Sequence, residues 1–495
     1  MNNLASKLIE NCENMPDKIC LIQKDTKITY SELYNMVSNF KTHLEIKGIK
    51  KEQKVLVLVP MSIELYVTLL AVWAIGAIPC FMDAGFIKSG MHKNDFDNIN
   101  AVIGITKYIM YSNINKNLRK LKIKINVNKI GKLSDKELKI VEVEKEYPAI
   151  LTYTSGTTGK PKIAERTHEF LGYQGEVLEK TINYEDMDIE ISSVPIFTLS
   201  NINVGITTVI TDGNFSNLRK SNPKKIVEQI INENVNRVMA APGLLNVIID
   251  YCIKNNIKIG QVKKVFSGGC AIFIDFINKL KIVFPNAEIV TIYGSTEAEP
   301  IAELNINEIT EKDLERIKNG YGILAGNIVG VEDCKTIKTG IKEIGKLTSN
   351  EFINLQQELG EIVVSGRNVL KGYVNGIGDK ENKFEVDGKI YHRTGDLGMF
   401  DENGRLWLRG RIKEPYFNIE AALHAKFDLE KTAVFKNNEK IILVLENKSV
   451  REEEIKNAIT FERIDEIKYI DKIPVDKRHS TKVDYKELKK ILNME

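Results

Sequence analysis

Val55-Leu56-Val57-Leu58-Val59 is an unbroken run of β-branched residues and leucine. A strand that is apolar on both sides has to be covered on both faces, as parallel strands flanked by helices are. A helical stretch from Ile63 to Ile75, a strand from Ile78 to Met82 and a short strand from Ala101 to Ile105 follow. This strand–helix–strand rhythm predicts an α/β architecture. Ahead of it, residues 1 to 50 read as an amphipathic helix, a hairpin (Ile19 to Ile22, then Lys27 to Tyr30) and a helix from Ser31. Ser31 with Glu32 is the expected cap of that helix. Leu65 to Phe81 is the most hydrophobic segment, but Gly76 and Pro79 interrupt it. It reads as a buried helix running into a buried strand and not as a membrane span.

The middle of the chain repeats the rhythm. Ile189 to Val194 is an expected strand ending at Pro195, and Lys224 to Asn232 and Pro242 to Lys254 are expected helices around the strand Arg237 to Ala240. Val262 to Phe266 should end in Ser267-Gly268-Gly269, and Ala287 to Tyr293 in Gly294-Ser295-Thr296-Glu297. Polar, glycine-containing turns thus fall at the carboxyl ends of strands, where open α/β sheets bind ligands. From about residue 320 the strands become shorter and antiparallel in texture, as in Gly360 to Ser365 and Gly404 to Leu408. A compositional break after Gly410-Arg411 leaves a small α+β unit reaching Glu495.

Tyr153-Thr154-Ser155-Gly156-Thr157-Thr158-Gly159-Lys160-Pro161-Lys162 follows the apolar run Ala149-Ile150-Leu151. Glycine lets backbone approach a ligand closely. Successive N–H groups make an anion-binding nest, to which lysines add point charges. A flexible linker would rarely follow a buried strand and end in Lys-Pro-Lys. A Walker-type loop needs G-x-x-x-x-G-K-S/T, whereas position 154 is Thr and Pro161 follows Lys160. The loop is therefore expected to hold a polyphosphate in a manner of its own.

Composition excludes several alternatives. Basic residues number 70 and acidic residues 67 in 495, for a net charge of +3. That gives no global attraction to nucleic acid or to an anionic membrane. Six cysteines (Cys12, Cys20, Cys80, Cys252, Cys270, Cys334) lack C-x-x-C spacing, and the six histidines lack H-x-x-x-H. Neither a zinc site nor a disulfide framework is expected, and a reducing, cytoplasmic setting fits. The first residues carry early acidic side chains and no apolar core of signal-peptide length.

Read together, the loop and the later turns resemble the adenylate-forming, AMP-binding superfamily of acyl-CoA synthetases, adenylation domains and luciferases. Tyr293-Gly294-Ser295-Thr296-Glu297 is similar to its Y-G-x-T-E. Gly360-Glu361-Ile362 with Gly372-Tyr373, His392-Arg393-Thr394-Gly395-Asp396 and Gly410-Arg411-Ile412-Lys413-Glu414 follow in the family's order, and Lys482 falls where its catalytic lysine stands. The resemblance implies a large N-terminal domain, residues 1–410, of stacked α/β subdomains with a β-rich subdomain. A small α+β lid, residues 411–495, would follow, hinged near 411–414.

It also implies attack of a carboxylate on the α-phosphate of ATP, giving an acyl-adenylate and pyrophosphate. Two anions must meet, so positioning and charge neutralisation carry the catalysis. Thr154, Ser155, Gly156, Thr157, Thr158, Gly159 and Lys160 would hold the β- and γ-phosphates. Thr296 would contact the α-phosphate, and Glu297 would be a ligand of Mg²⁺, a cation that takes few carboxylates besides phosphate oxygens. Tyr293 would flank the adenine, Gly268 and Gly269 would let it pass close to backbone, and Asp396 would accept from the ribose hydroxyls. Arg411 would add a contact to ribose or phosphate. Lys482 would bridge the carboxylate and α-phosphate; Lys477 and Arg478 beside it leave a solvated basic surface as the plainer alternative. Cys270 has no histidine nearby in sequence to activate it and reads as a small pocket residue. Pro195-Ile196-Phe197-Thr198 matches the family's acyl-pocket segment, with Thr198 where histidine is common.

The second half of the reaction is less well marked. After Glu414 the family has a glycine-containing loop for CoA or a phosphopantetheine arm, and here Pro415-Tyr416-Phe417-Asn418-Ile419-Glu420 has none. The leading expectation is an ATP- and Mg²⁺-dependent enzyme that activates an acyl acid and passes it to CoA or to an acyl carrier protein. Segments such as Pro474 to Lys482 are also similar to the β-lactone synthetases, which would close a β-hydroxy acid without CoA. A non-catalytic nucleotide- or acyl-binding relative is disfavoured by the presence of Lys160, Glu297, Asp396, Arg411 and Lys482 together.

Overall fold

The computed structural model describes residues 2–82, 98–129, 137–154, 162–214, 218–341, 347–353, 358–446, 448, 450–476 and 481–494, the side chains of Thr154, Arg219 and Ile353 excepted. The chain forms two compact units, Met1–Thr211 with Arg367–Lys383, and Asp212–Gly366 with Phe384–Glu495.

The first unit opens with α1 (Ser6–Asn14), the hairpin β1 (Ile19–Gln23) and β2 (Thr26–Thr29), and α2 (Tyr30–Ile46). The expected cap of α2 is corrected here. Thr29, not Ser31, caps the helix: its hydroxyl accepts from Glu32 N at 3.1 Å, while the Glu32 carboxylate accepts from Thr29 N at 2.8 Å. This reciprocal box satisfies two orphan donors at once, and Ser31 falls inside the first turn.

Next come β3 (Lys54–Leu58), α3 (Ile63–Ile75), β4 (Ile78–Met82), β5 (Ala101–Gly104), α4 (Thr106–Ile114), β6 (Ile123–Asn126), β7 (Pro148–Thr154) and β8 (Lys162–Thr167). They build a sheet in the order β6-β5-β3-β4-β7-β8, parallel up to β7 and closed by antiparallel β8. Leu56, Cys80, Val102, Leu151 and Tyr153 share one apolar cluster on it. As the Val55–Val59 run requires, α3 is buried along its length apart from Glu64, and it stops at Gly76 with φ +74°. Among the described residues no helix is long and apolar enough to cross a membrane. The expected phosphate loop joins β7 to β8, and Ser155 to Pro161 lie outside the described residues.

After α5 (His168–Ile182), β9 (Ile189–Ser192) is shorter than expected, because α6 (Pro195–Val204) starts at Pro195. Proline is well suited to a first helical turn. Strand β10 (Thr207–Ile210) then pairs with β9 and β1 in parallel.

The second unit contains α7 (Pro223–Asn232), β11 (Arg237–Met239), α8 (Pro242–Lys254), β12 (Lys264–Gly268), α9 (Ile274–Val283), β13 (Glu288–Ser295), β14 (Ala298–Asn305), α10 (Glu311–Lys318) and β15 (Ile323–Ile328). Strands β16 (Asp333–Ile337), β17 (Phe352–Ile353), β18 (Gly360–Ser365), β19 (Lys383–Val386), β20 (Lys389–Phe400) and β21 (Leu406–Arg411) follow. Strands β11, β12 and β13 are parallel. Antiparallel pairing begins at β14, earlier than the change of texture near residue 320, because Thr296-Glu297 turns the chain straight back.

The last residues form α11 (Phe417–Lys426), the strands β22 (Thr432–Asn437) and β23 (Lys440–Glu446), α12 (Glu452–Ala458), β24 (Glu466–Ile470) and α13 (Tyr485–Ile491). Their sheet has two covered faces. Ile419, Leu423 and Ile455 from the helices pack on Val434, Leu443 and Leu445. On the other face Ile473, Val483 and Leu488 pack on Ala433, Phe435 and Val444. The segment bearing Lys482 is thereby fixed to one side of a sheet whose other side carries α11.

Candidate active site

Neighbouring strand ends bring the expected residues together. Strand β12 ends at Gly268, where a Cβ would sit 2.4 Å from the Ile292 carbonyl oxygen of β13. Packing alone therefore demands glycine there, and it is Gly269, with φ +87°, that lines the cavity beside it. Strand β13 carries Tyr293 into the same cavity, and β20 contributes Asp396, which lies directly across the ladder from Arg411 of β21.

These three side chains form one constellation. The Tyr293 hydroxyl donates to Asp396 Oδ2 at 2.8 Å, and Arg411 Nε stands 2.8 Å from Oδ1. Thr394 supports the turn, accepting from Asp396 N at 3.1 Å while donating to Ile362 O at 2.9 Å. Burial pushes the Asp396 carboxyl above its usual range, against the opposing pull of Arg411, the Tyr293 hydroxyl and Lys482. Burial likewise, with Asp396 beside it, holds the Tyr293 phenol well above its ordinary value. The Arg411 side chain is 57% exposed, so the cation side of this pair stays open to a ligand.

Lys482 enters the cavity from the terminal residues. Its N–H donates to Asp476 Oδ1 at 3.2 Å and its carbonyl accepts from Asp476 N at 2.9 Å, which ties these two residues together. Thr481 and Lys482 face Cys270, and burial raises that thiol despite both of them. A thiol held protonated is a poor nucleophile, so Cys270 lines the pocket. Lys477 and Arg478 lie outside the described residues.

The cavity has a volume of about 520 Å³, within the range of small-molecule and nucleotide sites. Thr296 and Glu297 make the half-buried turn between β13 and β14 and are not part of its wall. The described residues contain no group of three or more His, Cys, Asp or Glu side chains suited to a metal. One carboxylate at a turn nevertheless fits Mg²⁺, which keeps waters and takes phosphate oxygens as its other ligands. Of the expected phosphate-binding residues, Thr154 ends β7, and its side chain and residues 155–160 lie outside the described residues.

Further polar residues of the wall carried no sequence motif, among them Asp275, Glu420, His424 and Thr432. His424 Nδ1 is 3.1 Å from Asp275 Oδ2, and its Nε2 is 3.1 Å from the Thr432 hydroxyl. Glu420, buried beside Thr432, is pushed up to about 8 by burial, against hydrogen bonding from Thr432 and the charge of Lys431. The available signal was weak: Asn418, Glu420 and His424 interrupt an otherwise apolar helix, and all three are buried.

A parallel sheet with its cavity at the strand ends, a largely buried aspartate beside a tyrosine and a half-exposed arginine, and a lysine brought in by the terminal residues define an AMP-forming acid ligase that makes acyl-adenylates. The chain belongs to the AMP-binding enzyme family, whose pattern matches residues 8–374. It is 24% identical over 443 residues to the olefin beta-lactone synthetase of Xanthomonas campestris, covering 83% of this chain and 78% of that protein. It is 24% identical over 436 residues to 4-coumarate-CoA ligase 1 of Narcissus pseudonarcissus, covering 83% and 76%. ATP-bound MatB from Rhodopseudomonas palustris shares its fold, with a TM-score of 0.78 at 17% identity over 99% of this chain and 98% of that one. O-succinylbenzoate coenzyme A synthetase (MenE) from Bacillus subtilis with AMP shares it too, with a TM-score of 0.76 at 19% identity and 98% coverage of both. The α/β fold expected from the sequence is the fold found.

Proposed function

We propose that this enzyme activates an acyl carboxylic acid with ATP in the cytoplasm and hands the acyl group to the thiol of CoA or of a carrier protein. One observation carries the reading: Tyr293, Asp396, Arg411 and Lys482 converge on a single cavity. A carboxylate oxygen attacks the α-phosphorus, the bond to the bridging oxygen breaks, and pyrophosphate leaves. Asp396 orients the ribose, Tyr293 flanks the base, and Lys482 neutralises the charge between carboxylate and phosphate. Residues 154–160 hold the β- and γ-phosphates, Thr296 the α-phosphate, and Arg411 the ribose or a phosphate. Glu297 would hold Mg²⁺, which would supply positive charge to the pyrophosphate leaving group. In the second step the thiol sulfur attacks the acyl carbonyl, AMP leaves, and the thiol proton goes to solvent. Residues 411–495 serve as the lid, turning about Lys413-Glu414.

A second reading keeps the first step and replaces the second. A β-hydroxyl of the substrate itself attacks the carbonyl, a lactone closes, AMP leaves and the hydroxyl proton goes to solvent. The glycine-free stretch Pro415 to Glu420 favours it.

Acid-dependent ATP–pyrophosphate exchange across fatty, aryl, amino and β-hydroxy acids tests the shared step. Lys482→Ala should abolish exchange while leaving ATP binding intact; unchanged exchange would remove the lysine from the mechanism. Mass spectrometry of the product with and without CoA then separates thioester from lactone.

A further inference from the structure

We infer that Phe273, Asp275 and His424 form a clamp that seats Lys482 for adenylate formation, acting as positioning residues and touching no reacting atom. This rests on the reading of Lys482 given above.

His424 is engaged on every side. Its ring stacks on Phe273 with centroids 4.7 Å apart and planes 3° from parallel. One ring nitrogen faces Asp275 at 3.1 Å and the other faces Thr432 at 3.1 Å. Its side chain is only 5% exposed, and its Nδ1 meets the Asp275 carboxylate as a close contact without hydrogen-bond alignment. What the imidazole can do is hold.

The location of its partners says what is held. Thr432 belongs to the terminal residues, as His424 does, but Phe273 and Asp275 precede the Gly410–Glu414 junction. A histidine serving only the terminal core would find its partners there. Helix geometry reinforces the contact: Asp275 sits in the first turn of α9 and His424 in the last turn of α11. Those are the ends where the helix dipole favours an anion and a cation.

The clamp reaches Lys482 through packed structure. Helix α11 covers one face of the β22-β23-β24 sheet. Val483, next to Lys482, packs on the opposite face with Ile473 and Leu488, and Val475 bridges to Val483. Fixing α11 against α9 therefore fixes the loop bearing Lys482 beside Cys270. The nearby Lys279–Asp428 contact, 3.9 Å long with the aspartate 92% exposed, is too solvated to do this and is an internal control.

The test compares the two half-reactions in the full-length enzyme. Asp275→Ala and His424→Ala should each slow ATP–pyrophosphate exchange about 10- to 100-fold, the scale of a small misplacement of a catalytic group. They should act mainly on kcat and leave KM for ATP nearly unchanged. AMP release from chemically prepared acyl-adenylate should proceed at the wild-type rate. The double variant should be no worse than either single one, because the two residues act as one contact. His424→Gln, which can still bond Thr432, should recover part of the loss, and Asp428→Ala should change nothing. Asp275→Asn keeps the residue's size and serves if the alanine variants do not fold. Equal slowing of both half-reactions, or undiminished exchange while Lys482→Ala is inactive, overturns the clamp alone. Exchange that survives Lys482→Ala overturns the reading beneath it.

Discussion

One arginine–aspartate group lies in the turn between β20 and β21 with Asp313 of α10, another on the two strands themselves, and they are built for opposite ends. Arg405 donates to Asp313 through both terminal nitrogens, at 3.0 and 2.6 Å, and to Asp401 through Nε at 2.9 Å. Asp401 also accepts from Trp407 Nε1 at 3.1 Å and from the backbone of Asn403 and Arg405. Although burial opposes ionisation of both aspartates, these hydrogen bonds outweigh it and hold each below its usual range. Asp396 has the same kind of partner in Arg411, yet it is held above that range, with burial the largest cause. Only one oxygen there meets a cation, and that cation is half in solvent. A carboxylate fully wrapped by donors locks structure. One left short of donors in a cavity is available to a ligand.

The largest test breaks the locked group. Arg405→Ala strands two buried carboxylates and should cost about 3–5 kcal/mol in urea unfolding, whereas Arg411→Ala should change stability by less than about 1 kcal/mol and act on catalysis instead. Comparable losses from both would erase the distinction.

A third carboxyl sharpens the comparison, since Glu420 has neither a bidentate arginine nor a ligand in prospect. Its folded-state value of about 8 exceeds that of an unfolded glutamate, about 4.3. The folded protein thus holds a proton that the unfolded chain has lost, and stability declines as pH rises from about 4.3 to about 8. Glu420→Gln should remove that decline. The variant should be more stable than the parent by a few kcal/mol at pH 8 and differ little at pH 4.5. A constant difference across that window would show that Glu420 does not titrate there.

Asp396→Asn comes next in size. Losing a charged acceptor for the ribose should lower kcat/KM for ATP about 10- to 100-fold with the melting temperature unchanged. Because the ionised form is the one that accepts, activity of the parent should fall on acidification through a value above the ordinary carboxylate range. That limb should be missing in the asparagine variant, whereas a retained limb would assign it to another group.

How much of this was legible beforehand follows from where the physics is local. The run Val55–Val59 specified a doubly covered strand, and α3 and β4 follow within a residue of expectation, since apolar pattern and Gly76 decide them together. Tyr293, Asp396, Arg411 and Lys482 were legible because each belongs to a short motif, and all four line one cavity. Thr29 was hidden as a cap because Ser31, two residues on, is an equally good capping type, though Thr29-x-x-Glu32 is the capping-box pattern. Gly268 was assigned to a ligand, while its lack of a side chain already answers to Ile292 of the adjacent strand. Asp275 and His424 could not be paired from sequence, because 149 positions separate them and only the packing of α11 on α9 joins them.

Tyr293→Phe is the finest probe of the open group. It keeps the ring that would flank the base and removes only the hydroxyl that donates to Asp396 Oδ2 at 2.8 Å. If that bond merely fills space, loss of a single hydrogen bond between neighbours should lower stability by about 1 kcal/mol and leave nucleotide kinetics alone. If it orients the carboxylate, KM for ATP should rise about 3- to 10-fold. The rise should shrink for 3′-deoxy-ATP, which no longer needs both oxygens aligned. The acidic limb assigned to Asp396 should also move upward, because the hydroxyl favours the ionised form. A KM that changes equally for both nucleotides would leave Tyr293 a role in flanking the base and none in orienting Asp396.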